Sequence, residues 1–351
     1  MRLTGNVPEG DLSQFNPSPF FDPELGWSTH HLGNNSFFSK EYNRGQRAVI
    51  NMWQDGTRAS HPAERQVSPY MVLLLGCSFT LGVGVQDHET YAWLLNSHYR
   101  DISFDNYGGG GYGTYQCYLL EKHLLNEHFS DKYDLVIYAA IPPHLLRNVT
   151  KTFWQDLSDY KTQEPQQSKA LPLTSIQNEV QWCLPRAYLI DKDTYGTIPT
   201  YEHWYGDDVF AIIHATKHLY QYCQSQMTLA RGITEDQRRL YRLLLEDMNT
   251  CARQHGAKFA TICLDYPENI YLRLDDKPSF PYVFVTDGRE YKPDAPIFHV
   301  GGKSTNHPSA FIHQNWARHI EEWLDTYLPR TTAEKLSNHR PAPKSSQPST
   351  E

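Results

Sequence analysis

Four short apolar runs, each bounded by turn residues, divide the central part of the chain. They are YMVLLLG at 70–76, DISFDNY at 101–107, DLVIYAAI at 134–141 and KFATICLD at 258–265. The first of them is a continuous apolar run of the kind that is typical of a parallel strand covered on both faces. A shorter alternating run, RAVINMW at 47–53, predicts one more strand upstream of them.

Segments with helical periodicity alternate with these runs. One follows Asp87, which can cap its N-terminus, and another is TYQCYLLEKHLL at 114–125. A third, at 234–256, begins with a capping box formed by Thr234 and Gln237. The last begins at Pro308, and its predicted inward face carries Phe311, Trp316, Ile320, Leu324 and Tyr327. Strands alternating with helices predict an α/β domain with a parallel sheet.

The distribution of polar residues predicts three parts. Residues 1–69 are rich in Asn, Gly, Pro and Ser and are interpreted as an N-terminal extension that wraps the core. Residues 70–330 form the main domain, with an aromatic-rich insertion at about 150–232. Residues 331–351 are polar and rich in Pro and Ser, which predicts a disordered tail.

Charge and composition exclude several function classes. The 351 residues include 32 basic and 40 acidic side chains, and a net charge of −8 disfavours nucleic acid as a partner. We find no secretion signal and no apolar stretch long enough for a membrane span, so we expect a cytoplasmic protein. Six cysteines without a CxxC pair predict reduced, mostly buried thiols.

Residues that follow the apolar runs are the candidates for chemistry, because ligands of open parallel sheets bind beyond the carboxyl ends of the strands. Ser78 follows the first run, a glycine-rich loop at 108–111 the second and His144 the third, while His307 stands ahead of the last helix. We expect a serine, a glycine loop and a histidine to meet at one edge of the sheet.

Ser78 is interpreted either as a nucleophile or as a turn residue. Nearby glycines allow the backbone to bend sharply, so that the hydroxyl can reach solvent while the Ser78 N–H faces a developing oxyanion. His307 is either a polar residue at a helix start or a general base, because the positive end of the helix dipole would keep its ring neutral.

Two further site types are considered and rejected. The stretch GGGGYG at 108–113 fits the G-x-G-x-x-G dinucleotide pattern, but it follows the second strand, and the next strand ends without an acidic residue for the ribose. We therefore predict no cofactor and interpret the loop as a source of a backbone N–H near Ser78. Histidines at 307, 313 and 319 are six residues apart and no HExxH occurs, so no metal site is predicted.

In this order, the motifs resemble those of the SGNH (GDSL-type) hydrolase family over roughly residues 70–328. The matching stretches are LLLGCSFTLGVGV at 73–85, Asn106 with Gly111, and NHPSAFIHQNWA at 306–317. VINMWQDGTR at 49–58 is similar to an extension with a G-x-R turn in some bacterial members. The resemblance implies a three-layer α/β/α sandwich, flavodoxin-like, with a mainly parallel sheet of about five strands.

The resemblance also implies ester hydrolysis through an acyl-enzyme. Ser78 would attack the carbonyl, His307 would act as base, and the N–H groups of Ser78 and Gly111 would hold the oxyanion. The asparagine of the family's third block is missing, and His144 or Asn148 is the candidate substitute, although His144 is equally interpreted as a residue at a helix start.

The acid that the family carries three residues before its histidine is replaced by Ser304. Three alternatives follow: a Ser–His dyad, an acid from elsewhere such as Asp265, Asp287 or Asp294, or a catalytically weak site. Loss of the carboxylate from a triad costs about 10⁴ in rate.

Three functions remain open from the sequence. The first is a serine-dependent hydrolase of carboxylic esters, including O-acyl groups on carbohydrates, with a small-molecule or carbohydrate ester as substrate. The second is an acyltransferase that uses the same acyl-enzyme. The third is a non-catalytic SGNH-like protein that binds a ligand. The sequence does not determine the oligomeric state.

Overall fold

The computed structural model describes residues 21–22, 25–28, 36–43, 46–62, 68–128, 132–149, 185–198, 216, 233–264, 271–285, 299–300 and 307–328. The strands in these ranges are β1 (Phe21–Asp22), β2 (Gly26–Trp27), β3 (Ser36–Asn43), β4 (Gln46–Asn51), β5 (Tyr70–Gly76), β6 (Ile102–Gly108), β7 (Leu135–Ala140), β8 (Arg186–Leu189), β9 (Tyr195–Ile198), β10 (Lys258–Cys263) and β11 (Tyr282–Phe284). The helices are α1 (Ser78–Leu81), α2 (Tyr91–His98), α3 (Thr114–His123), α4 (Pro143–Arg147), α5 (Glu235–Gln254) and α6 (Ala310–Tyr327).

A parallel sheet of five strands lies at the centre, in the order β6-β5-β7-β10-β11. Numbered along the chain, these strands read 2-1-3-4-5, which is the flavodoxin-like order. The predicted fold class is thereby confirmed. No strand was predicted at β11, because three residues at a sheet edge are too few to carry a periodic pattern.

Helices cover both faces of the sheet, because alternate residues of each strand point to opposite sides. Leu73 and Leu75 of β5 pack in one core with α3 and α5. Val72 and Leu74 pack in the other core with α2 and α6. Both faces are therefore covered, and this explains why β5 and β7 read as continuous apolar runs.

Of the two predicted N-terminal caps, one is confirmed and one is wrong. The capping box of α5 is confirmed, since the Thr234 N–H donates to Gln237 Oε1 at 2.8 Å. The predicted cap at Asp87 is wrong: Thr90 Oγ1 accepts from the Trp93 N–H and caps α2, while Asp87 begins a short 3-10 helix.

The start of the last helix differs from the prediction by two residues. Pro308 bridges to His299, and α6 begins at Ala310 after Ser309. The predicted inward position of Phe311 is wrong: it lies off the stripe formed by Ile312, Trp316 and Ile320 and is 41% exposed, whereas Ile312 is buried.

The described part of the N-terminal extension reaches the sheet through β4 and the turn that follows it. Arg58 forms an antiparallel bridge with Met52 and another with Asn106 of β6. Ile50 and Met52 pack against Leu81 at the end of α1. The predicted tail at 331–351 and most of the insertion at 150–232 lie outside the described residues.

Four cysteines fall in the described ranges, and all are buried free thiols: Cys77, Cys117, Cys251 and Cys263. None of the helices described is both long and apolar enough to cross a membrane.

Glu121 on α3 provides a test of the packing between α3 and α5. Its carboxyl group is buried and makes no side-chain hydrogen bond within the described ranges. Burial raises its pKa well above the usual range, and the nearby Ala252 amide opposes the shift only in part. Glu121 is therefore protonated at pH values where the unfolded chain ionises.

We expect the stability provided by this proton to be complete below the unfolded pKa of about 4.3 and to fall by up to about 1.4 kcal/mol per pH unit above it. The fall continues until the raised folded pKa is reached. Glu121→Gln removes this loss, so urea unfolding at pH 4, 6 and 8 should show the variant gaining on the wild-type protein as pH rises. A difference that stays constant across the three pH values would contradict the assignment.

Candidate active site

The candidate site lies where the strand order reverses. β5 and β7 are neighbours, and the chain leaves them toward opposite faces, so a crevice opens beyond their carboxyl ends. Ser78 stands two residues past the end of β5 and opens α1. Sequence order and sheet topology thus place Ser78 at the ligand-binding edge of this sheet type.

The backbone around Ser78 forms a single tight turn. Cys77 is extended, with φ of −98°, and α1 ends at Gly82 in the left-handed region, with φ of +77°. The carbonyl of Ser78 accepts from the Gly82 N–H at 2.9 Å and from the Val83 N–H at 3.0 Å. The Ser78 side chain makes no hydrogen bond within the described part of the chain, and the residue is 8% exposed.

Asn106 joins the serine turn to the glycine loop. Its Nδ2 donates to the Thr80 carbonyl in α1 at 2.8 Å, and its Oδ1 accepts from the Gly108 N–H at 3.0 Å. The Gly109 N–H donates to the Gly76 carbonyl at 2.9 Å, which fastens the loop to the end of β5. Asn106 is fully buried and acts as a brace between two walls of the site.

Gly111, the predicted oxyanion donor, lies in the turn closed by the Tyr112 N–H and the Gly109 carbonyl at 3.2 Å. Its φ of +83° is the conformation that glycine adopts most readily. Within the described residues, no hydrogen bond joins Gly111 to another group. The loop of Gly111 lies beside the serine turn because the Gly109 N–H is bonded to the Gly76 carbonyl, at the end of β5.

His307 packs on the residue after Ser78. Its ring meets the Phe79 ring edge to face, with centroids 5.7 Å apart. Its carbonyl accepts from the Val300 N–H at 2.8 Å, which holds the segment before α6 in place. His307 precedes the first residue of α6 by three positions, so the argument from the helix dipole does not apply to its ring as predicted.

His144 and Asn148 are bonded to β7 and to the start of α3, respectively. His144 is fully buried, and its Nδ1 lies 2.6 Å from the Tyr138 hydroxyl. Burial, aided by the charge of Arg147, lowers the pKa of His144 well below the usual range, so the ring is neutral.

The Asn148 Oδ1 accepts from the Tyr115 N–H at 3.0 Å, and its Nδ2 donates to Thr114 Oγ1 at 3.2 Å. Both the oxygen and the nitrogen of the Asn148 side-chain amide therefore hold the first turn of α3. This placement does not favour either His144 or Asn148 as an oxyanion donor.

The candidate partners of His307, Ser304 and Asp265, lie outside the described residues, as do Asp287 and Asp294. In the ranges that are described, no three His, Cys, Asp or Glu side chains form a group that could hold a metal ion.

His313, one of the three histidines whose spacing does not favour a metal site, is bonded to the first residue of α2. His313 is fully buried, and its Nδ1 accepts from the Tyr91 N–H at 3.3 Å. Burial lowers the pKa of His313 to about 3, with smaller contributions from the charge of Arg58 and from His307. His313 is thus neutral, and it serves as a cap acceptor for α2.

The sequence does not reveal that Arg58 and Asp87 are paired near the site. Arg58 is fully buried, and its Nε donates to Asp87 Oδ1 at 3.1 Å. Arg58 also donates to backbone carbonyls of the turn that follows α1. The G-x-R turn pointed to this arginine, but nothing in the sequence linked it to Asp87.

This chain is similar in structure to several solved proteins. No protein-family model matches the chain, and no curated protein matches its sequence. A protein assigned to the lipolytic G-D-S-L family from Desulfitobacterium hafniense DCB-2 overlays with a TM-score of 0.36 and 10% identity, covering 72% of this chain and 98% of its own.

Two further solved structures are similar at the same level. A member of the lipolytic protein G-D-S-L family from Veillonella parvula DSM 2008 has a TM-score of 0.31 and 13% identity, over 72% of this chain and 97% of its own. The lipase Lip_vut3 from a goat rumen metagenome has a TM-score of 0.34 and 13% identity, over 72% and 96%. Likeness at this level does not bear on the activity of this chain.

Gly108 provides a test of how closely the serine turn approaches β6. A Cβ at this position would lie 2.2 Å from the Leu81 nitrogen, which is backbone and cannot rotate away. We expect Gly108→Ala to displace α1 and to lower the free energy of unfolding by about 1–3 kcal/mol, the usual cost of overpacking.

Gly256→Ala is the matched control. Its φ is +74°, and an added Cβ would meet nothing within 4 Å, so only backbone strain of about 1 kcal/mol is expected. Denaturant unfolding gives both values, and amide exchange at Leu81 reports the displacement. A Gly108→Ala variant with native amide exchange at Leu81 would show that β6 and α1 are farther apart than the structure has them.

Proposed function

We propose that this chain is a serine-dependent hydrolase of carboxylic esters that works through an acyl-enzyme on Ser78, with His307 as the base. The observation that carries the proposal is the position of Ser78. It opens a four-residue helix at the carboxyl end of β5, at the reversal of strand order, and its hydroxyl makes no hydrogen bond within the described residues.

Support for an oxyanion site comes from two backbone N–H groups. The first turn of a helix leaves its N–H groups without acceptors in the helix, and Ser78 is the first residue of α1. Gly111 contributes the second N–H from the adjoining loop. Fixed backbone donors that face a developing negative charge are worth about 3–4 kcal/mol each in enzymes of this kind.

The proposed reaction has two steps. Ser78 Oγ attacks the ester carbonyl while His307 takes the hydroxyl proton, and the tetrahedral species collapses to an acyl-Ser78 ester as His307 gives the proton to the departing alcohol. Water then attacks the acyl group, again losing its proton to His307, and the carboxylic acid leaves with Ser78 restored. The net change is one ester and one water converted to one alcohol and one acid.

The proposed substrate is a small-molecule or carbohydrate ester. The resemblance to the SGNH family supports this class of substrate. The many aromatic residues between positions 150 and 232 are the sequence feature that favours a sugar. Because this segment lies almost wholly outside the described residues, the sugar preference rests on the sequence alone.

The orientation of His307 depends on Ser304 or Asp265 under this proposal. A carboxylate would stabilise the imidazolium, and its loss would cost about 10⁴ in rate, whereas a hydroxyl only orients the ring. Comparing kcat for Ser304→Ala and Asp265→Asn identifies the partner. Small losses in both variants turn the comparison to Asp287→Asn and Asp294→Asn, and small losses in all four variants would indicate a Ser–His dyad.

A fluorophosphonate probe tests the nucleophile. We expect the wild-type protein to be labelled on Ser78, as read by peptide mass spectrometry, and to hydrolyse short p-nitrophenyl and acetylated sugar esters. Ser78→Ala should lose both labelling and turnover, and His307→Ala should lower kcat by about 10³-fold or more.

Ser309→Ala is the serine control, because Ser309 is buried two residues from His307 and has no part in the proposed reaction. Absence of both labelling and turnover above the Ser78→Ala background would refute the proposal. Addition of an alcohol or sugar acceptor in the same assay shows whether transfer outruns hydrolysis.

A further inference from the structure

Arg58 carries a full charge in a place without solvent. Its side chain is fully buried, yet every part of the guanidinium is engaged. Nη1 donates to the carbonyls of Leu81 and Gly82, and Nη2 donates to the Val85 carbonyl at 2.7 Å. Burial of an arginine is costly unless it is paired and hydrogen-bonded, so this cluster is a built feature.

The counter-charge comes from the 3-10 helix that follows the same turn. Asp87 Oδ1 accepts from Arg58 Nε at 3.1 Å, and the Asp87 carboxylate also accepts from the backbone N–H and the side-chain amide of Asn51. Asn51 and Arg58 both belong to the N-terminal extension. We call Arg58, Asn51 and Asp87 the clamp. The extension supplies Arg58 and Asn51, and the sheet domain supplies Asp87 and the turn after α1 that the clamp holds.

The clamp reaches Ser78 through the backbone of the turn. Gly82 and Val83 donate their N–H groups to the Ser78 carbonyl, and the carbonyl of Gly82 is one of those held by Arg58. A Cβ on Gly82 would lie 2.6 Å from Arg58 Nη1, so the guanidinium fills the space beneath the turn. Movement of the Arg58 side chain would move the backbone that fixes Ser78.

A second connection leads from Arg58 to the glycine loop. The backbone N–H of Arg58, not its guanidinium, donates to the Asn106 carbonyl at 3.0 Å. The side chain of Asn106 in turn holds the Thr80 carbonyl and the Gly108 N–H. Arg58 is thus bonded, directly or through one residue, to both backbone segments that carry the candidate oxyanion donors.

We propose that Arg58 is a positioning residue, whose guanidinium sets the backbone around Ser78 for acyl transfer and makes the activity of the site depend on the N-terminal extension. The inference rests on the proposed function. Arginine suits the task because its planar guanidinium donates in several fixed directions, whereas lysine is a single compact charge with three donors.

Arg58→Lys keeps the charge and removes the fork. We expect kcat and the limiting rate of fluorophosphonate labelling at Ser78 to fall by about 10²-fold, the usual effect of a displacement of about 1 Å, while KM changes by less than about threefold. Amide exchange should quicken at Leu81, Gly82 and Val83 and stay native in β7 and β10.

Asn249→Ala is the control for general destabilisation. Asn249 is buried on α5, and its Nδ2 donates to Ser279 Oγ at 3.3 Å, far along the chain from the serine turn. This variant should lose stability with kcat unchanged. Should Arg58→Lys fail to fold, Asp87→Asn replaces it, because this variant leaves the fork in place, weakens its ion pair and should give a smaller loss in the same direction.

Two results would overturn the inference: a folded Arg58 variant with wild-type kcat, or unchanged exchange at Leu81, Gly82 and Val83. The exchange measurement does not depend on catalysis. If the wild-type protein is neither labelled nor active, the proposed function fails, and the exchange result alone decides whether Arg58 holds the turn.

Discussion

The ion pair between the buried Arg58 and the partly exposed Asp87 ties together the parts of this protein that meet at the candidate site. One guanidinium is bonded to an aspartate and to three backbone carbonyls without solvent contact. In such surroundings a charge is stable only while every partner stays in place, so the segment before the sheet and the turn after its first strand are fixed as one unit. The serine turn derives its shape from this unit.

The sheet explains why that turn faces a crevice. Five parallel strands covered on both faces leave only their two ends open, and the reversal of order between β5 and β7 separates the connecting segments at the carboxyl end. Asn106 and the glycine loop close the side next to β6. His307 reaches the site from the segment that precedes α6 and packs on Phe79. Four separate stretches of chain thus meet at one edge.

Much of this arrangement could be predicted, because its signals are local. The four long central strands, the capping box at Thr234 and the position of Ser78 two residues after a strand each appear within about a dozen consecutive residues. The roles of His144 and Asn148 could not be predicted in the same way. Each follows a strand end as a site residue would, but the direction of a side chain depends on which layer it packs into: His144 turns toward Tyr138 of β7 and Asn148 toward α3.

The sequence by itself determined the parallel sheet, its covering helices and the set of candidate residues at its carboxyl edge, because hydrophobic periodicity and glycine placement act within short segments. Only the tertiary structure decided that Arg58 pairs with Asp87 and holds the turn around Ser78. Asp87 lies 29 positions from Arg58, and the three carbonyls that accept from the Arg58 guanidinium lie 23–27 positions away and are groups that every residue possesses. A contact made to the backbone leaves no mark on the identity of the residue that accepts it, so no pattern along the chain could reveal it.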